Sequence, residues 1–363
     1  MTQILSVGTS SPPYRVAQDD AMELARGLFQ ESFPDINRML GVFHNGQIES
    51  RYLSVPLEWF QRSHSLREKN DLYIEISVQL GMEAIRACLD ESRFMSHPVS
   101  CDKIDAIFFV STTGFSTPSI EAKIMNQLPF SPHTKRVPIW GLGCAGGAAG
   151  LSRAHEYCLA YPGANVLVIS EELCSLTFQS NDLSKSNLIG TSLFADGAAC
   201  VLLAGDQSEL LSDSKLEFRP LIRGTQSTLM PHSEDVMGWD VKDNGLYVIF
   251  SKSIPSIIEK WLKPNVEEFL ASHRIGNEHI AHFIAHPGGK KVLEAYEKSL
   301  GISERLMNPS RKILNQYGNM SSPTVLFVLK EHMEQSIPEG EYGLAAALGP
   351  GFSSELLLLQ WTA

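Results

Sequence analysis

A chain of 363 residues with 43% apolar and 20% charged side chains can bury a large core and suits two domains or one double-lobed one. Its formal net charge of −11 argues against a general nucleic-acid binder and leaves any anionic ligand dependent on a local basic patch. No window reaches the ~18 uninterrupted apolar residues of a membrane helix, the N-terminus lacks a basic, apolar signal segment, and the six cysteines form no CxxC, so a cytoplasmic protein with reduced thiols is expected.

In chain order, Ile4-Leu5-Ser6-Val7 reads as a short buried strand, and residues 72–91 repeat their apolar positions with helical period, Cys88 on the apolar face. Ala106 to Val110 is a buried strand that runs into Ser111-Thr112-Thr113-Gly114. Residues 140–150, Trp-Gly-Leu-Gly-Cys-Ala-Gly-Gly-Ala-Ala-Gly, set Cys144 among very small side chains and open a helix that Pro162-Gly163 stops. Glycine in a helix is about 1 kcal/mol worse than alanine, so Gly146, Gly147 and Gly150 imply close approach of another element and a central position. Strands follow at 165–169 and 198–203, then a polar connector at Ser212-Asp213-Ser214-Lys215. A second helical stretch covers 253–272. Strand 282–285 ends in His286-Pro287-Gly288-Gly289, and Asn319 precedes a helix beginning at Ser322-Pro323-Thr324. Strands at 343–348 and 355–361 close the chain. Strand and helix in alternation indicate an α/β fold, and the parallel between the halves suggests a duplicated unit with one site between them, divided as 1–218 and 219–363.

A thiol at a helix N-terminus is placed to ionise, because free N–H groups and the helix dipole favour an anion there, and a nearby imidazolium adds to this. Cys158, Cys200 and Cys88 read as packing residues, whereas Cys174 is a candidate cavity lining. His64, His97, His133, His273 and His332 sit in polar stretches. His286 differs: it ends a buried strand at the sheet edge where ligands collect. A metal site from His279, His282 and His286 is disfavoured, since on a strand only two of them share a face and no carboxylate or cysteine joins them in the motif. Asn319 reads either as a turn asparagine or as an amide donor to a carbonyl or enolate oxygen.

Together these residues resemble the type III polyketide synthases of the chalcone synthase superfamily, in its bacterial, alkylpyrone-forming branch. The carriers are Gly143-Cys144-Ala145-Gly146-Gly147, Leu193-Phe194-Ala195-Asp196-Gly197, His286-Pro287-Gly288-Gly289, Gly318-Asn319-Met320-Ser321-Ser322 and Leu348-Gly349-Pro350-Gly351, in order over essentially the whole chain. The resemblance implies the thiolase fold, a duplicated, five-layered αβαβα architecture, and a homodimer. It implies that Cys144 carries the growing chain as a thioester, that His286 pairs with it, and that His286 and Asn319 bind the malonyl-CoA thioester carbonyl. Acyl-CoA and malonyl-CoA are then substrates, with no metal or other cofactor. Phe194 matches one gatekeeper aromatic and Tyr247 is assigned to the second. Thr112, Thr117, Thr177, Gly190, Gly238, Ser321 and Leu348 resemble cavity lining, Thr117 at the wall shared with a partner subunit. For CoA, Arg38, Gly289, Lys290 and Lys291 are the candidates. Because the gate and shared wall differ from the plant aromatic pattern, fatty acyl starters and alkyl α-pyrone products are expected. Two rivals share the Cys-His-Asn set: a ketoacyl-ACP synthase III-like enzyme, which lacks the terminal Gly-Pro-Gly pattern, and a papain-like hydrolase, whose flanking cysteine motif is absent here. An inert partner subunit would require the loss of one of the three.

Overall fold

Each buried apolar run becomes a strand in the computed structural model, which describes residues 1–251 and 253–363. Nine strands form one continuous sheet: β1 Thr2–Ser10, β2 Ala106–Val110, β3 Lys135–Ile139, β4 Asn165–Leu173, β5 Asp196–Gly205, β6 Arg219–Leu229, β7 Ile280–Ala285, β8 Tyr342–Gly349 and β9 Ser353–Thr362. The order is β3-β2-β4-β5-β1 followed by β6-β9-β8-β7. In the first half β5 runs antiparallel to both β1 and β4, and β4 runs parallel to β2. In the second half β9 runs antiparallel to both β6 and β8, and β8 runs parallel to β7. The two arrangements are the same, so the duplication read from the sequence is present in the topology; β3 extends the first half alone. The halves meet where β1 pairs with β6 at Thr2–Ile222 and Gln3–Leu221.

Helices Gly146–Ala160 and Thr324–Met333 lie in the middle, and each touches strands of both halves. Leu66–Leu89 covers the outer face of the first half; Lys263–Ser272 and Glu304–Tyr317 cover that of the second. This is the five-layered αβαβα stack of the thiolase fold. The long outer helix starts at a reciprocal cap in which Ser65 and Glu68 satisfy each other's backbone N–H groups. The glycines of the Cys144 helix serve the close packing expected of them. A side chain at Gly146 would strike Val110 of β2, one at Gly147 the Ser322 carbonyl, and one at Gly150 Val168 of β4.

Three readings change. The stretch 253–272 is not one regular helix: Ile254–Ile257 and Lys263–Ser272 flank a π-helical segment, Ile258–Leu262. Pro264 has no N–H to give an earlier carbonyl, which favours the widened turn before it. His332 is buried in the last turn of Thr324–Met333 rather than exposed, and burial lowers its pKa to about 4. Strand β4 runs four residues beyond the apolar run and carries Glu171 and Glu172 into the core, both fully buried.

Candidate active site

Cys144 lies in a tight turn, Gly143–Ala145, that leads directly into the central helix Gly146–Ala160. Gly143 has φ of +46°, and its N–H donates to Thr112 Oγ1 at 3.1 Å, so the turn is pinned to the end of β2. His286 follows β7, its backbone N–H bonded to the Ala346 carbonyl at 2.8 Å. Asn319 follows a bend opened by Gly318 (φ +71°), and its backbone pairs with Leu193 and Ala195 beside the motif that carries Phe194. Thus the first half supplies the thiol and the second supplies the imidazole and the amide. All three line one cavity of about 450 Å³.

The polar contacts are specific. The Asn319 amide donates to the Gly288 carbonyl at 3.2 Å, and its oxygen accepts from the Ser321 N–H at 2.8 Å. One amide N–H therefore remains for the cavity. Ser321 holds a left-handed backbone, φ +61°, which brings its hydroxyl 3.4 Å from the Cys144 sulfur. Neither ring nitrogen of His286 has a protein hydrogen-bond partner.

Burial dominates the electrostatics. It pushes the Cys144 thiol up to about 11, against the opposing pull of hydrogen bonds from Ser321 and Asn319. It pulls His286 down to about 3. The helix end does not by itself deliver the thiolate expected from the sequence. Both shifts favour the neutral forms, so neither group is set to ionise on its own.

Beneath the thiol, Glu172 accepts from the Thr112 N–H and the Thr113 hydroxyl at 2.9 Å and from the Ser322 hydroxyl at 2.8 Å. Burial still raises it to about 7. Thr112 therefore braces the turn and the glutamate from behind instead of lining the cavity.

Among the expected lining residues, Leu348 joins Cys144 in the main cavity, whereas Thr177 and Gly190 line a smaller pocket behind Phe194, with Cys174. The gate assignment needs correction. The rings facing Phe194 are Phe250, at 5.5 Å between centroids, and Trp239, at 5.9 Å. Tyr247 bonds Asn181 at 3.0 Å and stacks under Lys242. Side chains alternate along Gly245–Phe250, so Tyr247 and Phe250 face opposite sides. Gly238 and Thr117 lie outside both pockets, and Thr117 is exposed.

Of the candidates for CoA, Gly289, Lys290 and Lys291 line the cavity at its mouth, whereas Arg38 is exposed and outside it. Lys185, which sequence reasoning missed, joins the two lysines there. Its only sequence signal was its place just inside a helix capped by Ser184.

Both halves match family models: the N-terminal domain of chalcone and stilbene synthases over residues 1–207, and their C-terminal domain over residues 221–362. A Bacillus subtilis (strain 168) protein provisionally named a chalcone synthase is 56% identical over 99% of each chain. A 1,3,6,8-tetrahydroxynaphthalene synthase of Streptomyces peucetius subsp. caesius is 33% identical over 99% of this chain and 93% of its own. The crystal structure of the 1,3,6,8-tetrahydroxynaphthalene synthase of Streptomyces coelicolor A3(2), a bacterial type III polyketide synthase, superposes with a TM-score of 0.90, at 29% identity and 99% coverage of each chain.

Proposed function

The chain belongs to the chalcone and stilbene synthase family, the type III polyketide synthases, and from that premise we propose which of its residues act and what it makes. Enzymes of this family are acyltransferases that condense CoA thioesters. The observation that carries the residue roles is that Cys144, His286 and Asn319, drawn from opposite halves, line one buried cavity.

Cys144 passes its proton to His286 and attacks the starter acyl-CoA, forming a thioester and releasing CoA. Malonyl-CoA then places its thioester oxygen against His286 and the free Asn319 N–H. Loss of CO₂ leaves the C–C bonding electrons as an enolate, and donors preset at its oxygen lower the barrier. The enolate carbon attacks the Cys144 thioester carbonyl, a C–C bond forms, and the sulfur leaves as thiolate. The chain, two carbons longer, is carried by CoA and returns to Cys144 for another round.

We infer fatty acyl starters and alkyl α-pyrone products. The cavity falls within the ~300–1,000 Å³ range of small-molecule sites, and Ile254, Ile258 and Leu348 give it an apolar wall. The pocket behind Phe194 adds apolar space of about 60 Å³. With Phe250 at the gate, the case rests on this wall and no longer on a tyrosine there. The exposed, stacked Phe115 and Trp140, ring centroids 5.4 Å apart, support a homodimer. All six cysteines are free thiols, which suits a reducing cytoplasm, and no described helix is long and apolar enough to cross a membrane.

The test is mass spectrometry of products from malonyl-CoA with a starter panel: medium- and long-chain acyl-CoAs, an aromatic acyl-CoA, and none, with Cys144→Ala as control. Alkyl pyrones with fatty starters, absent in the variant, support the reading. Product from malonyl-CoA alone would replace it with the chemistry named for the tetrahydroxynaphthalene-forming relative.

A further inference from the structure

Helix Lys290–Leu300 begins at the cavity mouth and turns Leu293, Tyr296 and Leu300 inward. The Tyr296 side chain is fully buried, its ring packed edge-on against Phe283 with centroids 5.5 Å apart, so the phenol is held in one orientation. Its hydroxyl has no protein hydrogen-bond partner. Tyr296 lines the same cavity as Cys144, and its neighbour across the wall is the π-helical segment that presents Ile258. Burial keeps the phenol protonated, and therefore a donor, throughout the working pH range.

A buried hydroxyl needs a partner. None of the side chains around Tyr296 supplies one, so the partner comes from what the cavity holds. An alkyl starter bound at Cys144 carries no oxygen beyond its thioester. After each condensation the tethered chain gains a keto oxygen, which an apolar wall cannot satisfy.

We propose that the Tyr296 hydroxyl donates a hydrogen bond to a keto oxygen of the extended chain held at Cys144, making it a specificity-determining residue for the number of extensions. The inference rests on the polyketide reading above and adds a residue to it.

The experiment compares the full-length wild type with Tyr296→Phe, using dodecanoyl-CoA and malonyl-CoA. Four quantities are read: the ratio of longer to shorter extension products, the rate of Cys144 acylation by the starter, the iodoacetamide reactivity of Cys144, and Tm. The ring is kept, so Tm should be no lower than wild type and acylation and alkylation should stay within about two-fold. The ratio of longer to shorter products should fall about five-fold, the effect of one neutral hydrogen bond. An unchanged ratio overturns the proposal. So does a proportional loss of all products together with a lower Tm, since the hydroxyl would then serve the fold alone. If the wild type makes no extended product, the polyketide reading itself fails and this inference falls with it.

Discussion

Cys144 and His286 line one cavity with opposite needs: burial raises the thiol to about 11 and lowers the imidazole to about 3. Neither ionises readily alone, so the thiolate should depend on the imidazole. We predict that His286→Ala slows iodoacetamide alkylation of Cys144 at pH 7 by about 10- to 100-fold, each lost factor of ten being one unit of thiol pKa. The rate in the variant should keep climbing through pH 9 and above, toward the buried thiol's own value. A variant that alkylates as fast as wild type at pH 7 would show that His286 does not hold the proton. Asn319 separates from this pair. In the proposed cycle its spare N–H serves the malonyl oxygen, so Asn319→Ala should cut malonyl-CoA decarboxylation by ~10²–10³. Starter loading on Cys144 should change only a few-fold. Equal loss of both half-reactions would instead mean that the bend at Gly318 had collapsed.

At the scale of elements, strand β4 shows where sequence reading succeeds and where it stops. Its apolar run is legible because five consecutive buried residues have no other home in an α/β sheet, and the same holds for β2 and β5. The continuation through Ser170, Glu171 and Glu172 is not legible, since acidic residues ordinarily end a buried run. Only the fold reveals the Thr112, Thr113 and Ser322 groups that donate to Glu172. Phe250 is illegible for a related reason: Tyr247 and Phe250, three residues apart on one strand, point to opposite faces, and only the fold shows which of them meets Phe194. The buried strand end has a measurable consequence. A carboxyl raised to about 7 binds its proton more tightly in the native state than in the unfolded chain. The native state therefore loses stability as pH rises from about 4.5 to about 7, by an amount on the order of 3 kcal/mol for this group, and levels off above. Glu172→Gln keeps the shape and cannot ionise, so urea midpoints between pH 5 and 8 should become flatter than those of wild type. A variant with the same pH slope would place the titration elsewhere. The central helix gives a sharper test. Gly147 faces the Ser322 carbonyl, a backbone atom that cannot rotate away. Gly147→Ala should destabilise the fold by ~1–3 kcal/mol as an overpacked site and lower activity through the displaced Asn319 loop. A gain in Tm, the usual result of Gly→Ala in a helix, would show that the contact yields.

At the scale of the whole molecule, a protein of net charge −11 must admit polyanionic CoA esters. The long-range field opposes their approach, and only local charge can reverse it. Lys185, Lys290 and Lys291 gather at the cavity mouth from both halves of the chain. Lys290 is partly engaged with Glu294 at 3.8 Å, whereas Lys185 and Lys291 have no ion-pair partner among the described residues. These two should therefore carry most of the attraction for the CoA phosphates. The double variant Lys185→Ala, Lys291→Ala is predicted to raise KM for malonyl-CoA about ten-fold or more while kcat stays within about two-fold, because lysines that hold only the carrier would not touch the reacting carbons. Salt supplies the independent check. Exposed charges are screened over ~8–10 Å at 0.10–0.15 M ionic strength, so wild-type KM should rise with salt. The double variant should respond much less, having lost the charges that salt screens. An unchanged KM with an unchanged salt response would mean that CoA enters by another face, and the cavity mouth would need to be assigned anew.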